Sequence, residues 1–504
     1  MRLTILGRAF MAGAVTLISA CGSSGTSSKS ATSGAAPVSS APVTIATTLQ
    51  LSSLDGIAEN LVPVNDTIYD TLVKIDGSGG TQADLATKWA ANAAGTQWTF
   101  TLRNGVRFSN GTSLTAADVV YSYEQVKADA KSMNHSYLAQ MASVSGSGDQ
   151  VVFNLTQPFA SWPRQTTLIP IVSEAAYKQE GPTAFASKPV GSGPYEVKSF
   201  VAGQSVVLAP NPDYWGTPPV LKNVTEEEVA SETTRLTGLQ SGSIDAAILS
   251  PAVAQTARSD SKLQVQTVPS DQVTYLGFNS TSTGTSSLAF RQAVSDAVNR
   301  QAIANALFAG DATPIGQLLA PSVFGYDPSI KPTSFDPTKA KALVAQSDYK
   351  GQTIPFTYLS GPSVPRAAQI AQAVQSYLKA VGINVALRSE PQATFITDWF
   401  SKQLTGMWLF SIQPSTLDAA LVFDLTAVAT AEFTDPVISQ AYTSQASQTN
   451  VAQRKATLVS ISNEINSKVW FAPLLNDDNV YVSNRSALSV TPRADGDLLP
   501  QYMR

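Results

Sequence analysis

Cys21 and His135 are the only cysteine and histidine in 504 residues, which narrows the chemistry this chain can perform. A protein-built zinc site usually draws several ligands from His and Cys, so none is expected. A Ser-His-Asp triad would have to use His135, which follows Ser132-Met133-Asn134 in a polar stretch and reads as a surface residue. No G-x-S-x-G nucleophile elbow is present. Carboxylates are scattered, and no spacing singles out a glycosidase pair. The glycines in Val190-Gly-Ser-Gly-Pro-Tyr195 suit a tight turn, but neither G-x-G-x-x-G nor a following GK[ST] makes them a phosphate loop. One cysteine cannot form an intrachain disulfide. No enzyme activity and no cofactor are expected, and recognition by arginine, carboxylate, amide and indole groups remains.

Composition sets the frame for those groups. Hydrophobic residues make up 43% and charged residues 14%, which is globular, and the length suggests two or three domains. A net charge of −4 offers no basic field for phosphate backbones, so nucleic acid is not an expected partner.

The N-terminus reads as an export signal. Arg2 and Arg8 precede a short apolar run, Ala9 to Ser19, too short to span a bilayer. It ends at Ile18-Ser19-Ala20-Cys21, which resembles a lipobox and makes Cys21 the expected lipidation site; the alternative is an ordinary signal peptide with an incidental cysteine. Residues 22–42 are mostly Gly, Ser, Thr, Ala and Pro, the composition of a flexible tether.

The most informative stretch is 96–126. Trp98, Phe100 and Leu102 alternate with polar residues at strand period, and Asn104-Gly105 predicts a hairpin. Val106 and Phe108 resume the alternation, Asn110-Gly111 turns again, and Thr115 with Asp118 predicts a capped helix. Together with Leu85-Ala-Thr-Lys-Trp89, this segment resembles the hallmark region of the family 5 extracellular solute-binding proteins, the peptide, nickel and oligosaccharide binders of ABC importers. Asn211-Pro-Asp-Tyr-Trp215-Gly is similar to that family's NPDYWG turn, where Tyr214 and Trp215 read as packing residues. Asn65 to Val73 looks like the family's first helix. A helix at 290–299, another from Pro337 with Asp336 as N-cap, and the strand–helix–strand run of Ile354–Tyr358, Ala367–Ala380 and Ile383–Leu387 extend the resemblance to about Val490.

The resemblance implies an α/β, two-lobe periplasmic-binding-protein-like fold, type II, in a large form with an extra subdomain, joined by a two-crossing hinge. The expected division is signal peptide 1–20, anchor and linker 21–42, domain I 43–80, extra subdomain 81–185, domain I again 186–270, domain II 271–475 and a return to domain I at 476–504. The implied partners are a small solute, an importer permease and, through Cys21, the outer face of the cytoplasmic membrane; a monomer is expected. No Walker motif is present, so ATP hydrolysis would lie in other subunits. A peptide-like solute is favoured, an oligosaccharide is the runner-up, and a surface receptor of the same fold is a third reading.

The resemblance also nominates ligand groups. Arg366, at the start of a long helix, corresponds to an arginine that binds a ligand carboxylate, as a planar guanidinium can; the alternative is a solvated helix-start arginine. The run Gly406-Met-Trp408-Leu-Phe-Ser-Ile-Gln413-Pro-Ser-Thr-Leu-Asp418 falls where relatives hold a peptide amine on an aspartate. An ungapped match puts Pro414 at that position, and Asp418 could serve only after a shift. Gln413, and Trp399 and Trp408 as stacking platforms or core, join the candidates. Leu51 in the loop after the first strand and Tyr275 at the opening of domain II complete them.

Overall fold

The computed structural model describes residues 42–504 apart from 49, 60–61, 362, 485–487 and 492. Cys21 and the expected signal segment and linker, up to residue 41, lie outside the described residues. Nothing in the described part is a helix long and apolar enough to cross a membrane.

One 13-residue strand, Phe471–Ser483, is the spine of the fold. Its first part pairs antiparallel with Val273–Phe278, which continues through Met407–Ile412 and Ile354–Ser360 to Val385–Pro391. Its second part pairs with Gln264–Pro269 and with Ala246–Leu249, which leads through Val43–Thr47 and Val224–Glu228 to two outer strands. The two lobes are therefore the two halves of a twelve-stranded sheet, counted among the described residues. The chain crosses between them at 270–272 and again around Asn476. Asn476 Nδ2 donates to Ser270 O at 2.9 Å and to Gln272 O at 2.8 Å, which ties the crossings together.

Each lobe has its own apolar core. In the second lobe Tyr275, Phe410 and Phe471 meet edge-on, and the helix Ala367–Ala380 buries Ile370, Val374 and Leu378 against the sheet. Gly382 takes φ +89 just beyond that helix, the left-handed step that ends it. In the first lobe a separate four-stranded sheet, in the order Ala86–Ala91, Gln97–Leu102, Gln150–Leu155, Met141–Ser147, carries Trp98, Phe100 and Phe153 inward. The helix Ala116–Ala128 packs on it, with Asp118 accepting from the Thr115 amide at 2.9 Å.

Three local expectations change. Val106 to Phe108 does not pair with Gln97–Leu102, because both edges of that strand are already taken by neighbours. The chain turns at both Asn104-Gly105 and Asn110-Gly111, but it is the second turn that closes a hairpin, with Phe108 N bonded to Thr112 O at 2.9 Å. The first helix is Val62–Ile68 rather than 65–73, and Val73–Ile75 is a strand. Gly191 and Gly193 have no positive φ; a Cβ on either would come within 2.2 Å and 2.6 Å of the Ile68 carbonyl group. That close approach, rather than a tight turn, is what they supply.

Candidate ligand-binding site

The loop after Met407–Ile412 was expected to offer Asp418 to a ligand amine. The structure commits Asp418 elsewhere. It is 1% exposed and caps the helix Ala419–Phe423, accepting from Ala420 N at 2.9 Å. Arg454 grips both oxygens, Nη2 to Oδ1 at 2.7 Å and Nη1 to Oδ2 at 2.8 Å. Arg164, from the first lobe, adds Nε to Oδ2 at 3.5 Å and donates to the Thr416, Leu417 and Gly79 carbonyls. Burial alone would raise the Asp418 carboxyl, but the two arginines overcome it and hold it below the usual carboxylate range. Both guanidinium groups also lie over the Phe324 ring, at 5.1 and 5.3 Å. Asp418 is thus part of a buried clasp between the lobes and has no oxygen left for a solute cation.

Four other candidates are core residues. Trp399 packs on Phe400 and Phe410, and Trp408 lies so close over Gly277 that a Cβ there would be 2.2 Å from the indole. Tyr275 is walled by Phe410 and Phe471. All three are 2% exposed or less, so none presents a ring face for stacking. Leu51 is buried, and its backbone is bonded to Glu228 and Gly203. Two candidates remain beside the hinge. Gln413 Nε2 donates to Asp271 Oδ1 at 2.8 Å. Arg366 is half-buried at φ +58, one position before its helix, and makes no ion pair among the described residues.

A polar cavity of about 510 Å³ opens elsewhere, at residues outside the sequence candidates. Its walls come from the chain after the first helix, the 211–216 turn, the C-terminal segment and, from the second lobe, Ser415. Local sequence explains how they meet. Because Gly191 and Gly193 have no side chains, 191–193 lies against Ile68, with Gly193 N bonded to Ile68 O at 2.9 Å. This brings Ser192 Oγ to 2.9 Å from Asp70 Oδ2. Asn211 fixes the next turn, its Nδ2 donating to Gly193 O and its N to Pro194 O. The turn aims Trp215 Nε1 at the same Asp70 oxygen, 2.8 Å away.

Beside this pair, Lys74 Nζ meets Asp84 Oδ1 at 2.9 Å, and the Thr71 amide donates to Asp84 Oδ2 at 3.0 Å. Arg103 lies 4.1 Å over the Trp215 ring and Lys74 5.6 Å over it. Arg493, also in the lining, pairs with Asp66, Asp495 and Asp497. Gln501 Nε2 donates to Asp66 O at 2.9 Å, which holds the C-terminal segment against the first helix. Burial, then repulsion from Asp84, pushes the Asp70 carboxyl far above the usual range; Trp215, Lys74 and Ser192 only partly offset this. Lys74 is held up by Asp84 despite its own burial.

These groups carried no spacing signature. Asp70 lies within the segment read as a helix, and Trp215 within a turn read as scaffold. Their convergence depends on glycine contacts about 120 residues from Ile68 in the chain.

Residues 80–432 match the bacterial extracellular solute-binding proteins, family 5 Middle. A relative from Escherichia coli K12, called "Probable D,D-dipeptide-binding periplasmic protein DdpA", is 31% identical over 340 residues, 65% of this chain. The chain spans 65% of that relative's length. The ABC transporter substrate-binding protein CtaP of Listeria monocytogenes superposes with a TM-score of 0.80 at 19% identity, covering 92% of this chain and 99% of that one. A nickel ABC transporter protein of Bacillus halodurans gives 0.81 at 19% identity, with the same coverage. At that identity the likeness is one of fold.

Proposed function

The chain belongs to the family 5 bacterial extracellular solute-binding proteins, and from that premise we propose that it is the substrate-binding subunit of an ABC importer. It captures a short peptide or peptide-like solute between its lobes and hands it to a membrane permease. The observation that carries this reading is the cavity itself: the first lobe builds its charged and aromatic walls, and Ser415 reaches it from the second lobe. A solute held there makes contacts with both lobes, so binding favours the closed form. Charges of both signs around aromatic rings suit a zwitterion with an apolar body better than a neutral sugar. The name of the E. coli relative points to the same cargo class. Cys21 as the lipid anchor, the 22–42 tether and a monomer at the outer face of the cytoplasmic membrane complete the proposal.

Tryptophan fluorescence tests it, because Trp215 lines the cavity. Titration with L-alanyl-L-alanine should give a saturable change, and maltotriose should give none. Saturation by maltotriose alone would replace the peptide reading with the sugar one. Silence with both would sink the binding assignment at this cavity.

A further inference from the structure

At the wall of the cavity two buried carboxylates lie near one ammonium, which pairs with only one of them. Asp84 is 2% exposed and paired with Lys74. Asp70 is 5% exposed and takes neutral donors, Ser192 Oγ and Trp215 Nε1, both on Oδ2. Among the described residues no cation pairs with Asp70 directly. Lys74 lies within its field but is engaged by Asp84. Arg493, the arginine beside Asp66 in the lining, is already enclosed by three aspartates. Asp66, Asp70, Asp84 and Asp495 line the space together with Lys74, Arg493 and Arg504.

A carboxylate that is buried and lacks a counter-charge is unstable as an anion. It either keeps its proton or receives a cation from outside. The second lobe offers no competing carboxylate in its 413–418 loop, since Arg454 and Arg164 occupy Asp418. Building on the reading that this cavity holds the solute, we propose that Asp70 is the acceptor for a protonated amine of that solute. Trp215 acts as its positioning residue, with the indole N–H fixing one carboxylate oxygen. Tyr69 and Tyr214 supply apolar wall for the part of the solute next to the amine. In the empty protein Asp70 carries a proton. When R–NH3+ arrives, the O–H bond breaks, that proton leaves to solvent, and the carboxylate pairs with the ammonium. The amine is thus recognised on the first lobe, before closure.

Isothermal titration calorimetry of the full chain tests this with L-alanyl-L-alanine and its N-acetyl derivative, each in two buffers of different ionisation enthalpy. The free amine should bind about ten- to a hundredfold more tightly, the scale of a hydrogen bond to a charged group. Its binding should release a proton, seen as a buffer-dependent heat. Asp70→Asn should abolish both the preference and the release while keeping the thermal transition. Should that variant not fold, the paired peptides on the unaltered chain still decide. Equal affinity for the two peptides leaves a solute-binding protein and overturns the role of Asp70. A preference and proton release that survive Asp70→Asn overturn it too. No binding of either peptide overturns this inference and the peptide reading together.

Discussion

Asp418 and Arg454 meet edge to edge, two parallel N–H···O bonds of 2.7 and 2.8 Å between side chains almost wholly removed from water. Arg164 reaches the same carboxylate from the other lobe. Desolvating three charges is costly, so the clasp holds only because every member is paired. Removing the carboxylate strands two buried guanidinium groups. Asp418→Asn should therefore lower stability by about 3–5 kcal/mol in urea unfolding. Its affinity for an amine-bearing peptide should change little beyond that loss. Full stability with abolished affinity would return Asp418 to the ligand site.

Gly79 meets the second lobe at Ser322. A Cβ there would stand 1.9 Å from the Ser322 carbonyl oxygen, at a φ of +82 that side chains rarely adopt. Gly79→Ala should force this seam apart. Strain of about 1–3 kcal/mol, borne by the closed form, weakens binding about five- to a hundredfold. Small-angle X-ray scattering should show a larger radius of gyration with solute present. An unchanged radius and affinity would contradict the contact.

Glu226 lies in the strand Val224–Glu228, with its Oε1 lacking a hydrogen-bond partner among the described residues. Burial pushes its carboxyl up to about 8 from 4.5. The folded chain therefore keeps a proton that the unfolded chain loses above pH 4.5. Stability from this group is full below that pH and drains away as pH rises to about 8, by on the order of a few kcal/mol. Glu226→Gln should flatten this part of the pH profile and raise Tm more at pH 8 than at pH 5. Equal shifts at the two values would remove Glu226 as the cause.

Arg366 separates two placements of the solute. Family resemblance assigns it a ligand carboxylate, whose loss should cost about 1.5–3 kcal/mol. It does not line the cavity beside Asp70. With the solute in that cavity, Arg366→Ala should leave the dissociation constant within about twofold. A larger loss would move the solute towards the hinge.

Cys21→Ser should release the protein from membranes in a fractionation experiment. Retention in the membrane fraction would contradict lipid anchoring at this residue.

Much of the frame was legible in the chain. Strand alternation at Trp98, Phe100 and Leu102, the Asp336 cap and the Gly382 stop are local signals, each decided within a few residues. Errors arose where a distant partner decided the outcome. The Asn104-Gly105 hairpin lost to strands that already flanked its neighbour. The candidate site was hardly legible, because two tryptophans chosen for their chemistry pack in the core, while Trp215, taken for a core residue, faces the cavity. Nothing near Asp70 in sequence announces Ser192, Trp215 or Asp84 as neighbours; the fold alone assembles them.

The most direct test of the account is native mass spectrometry of the purified chain with millimolar L-alanyl-L-alanine and, separately, its N-acetyl derivative. The account predicts one bound peptide per chain for the free amine and a largely bare chain for the acetylated one. A bare chain in both spectra, or equal occupancy in both, would contradict it.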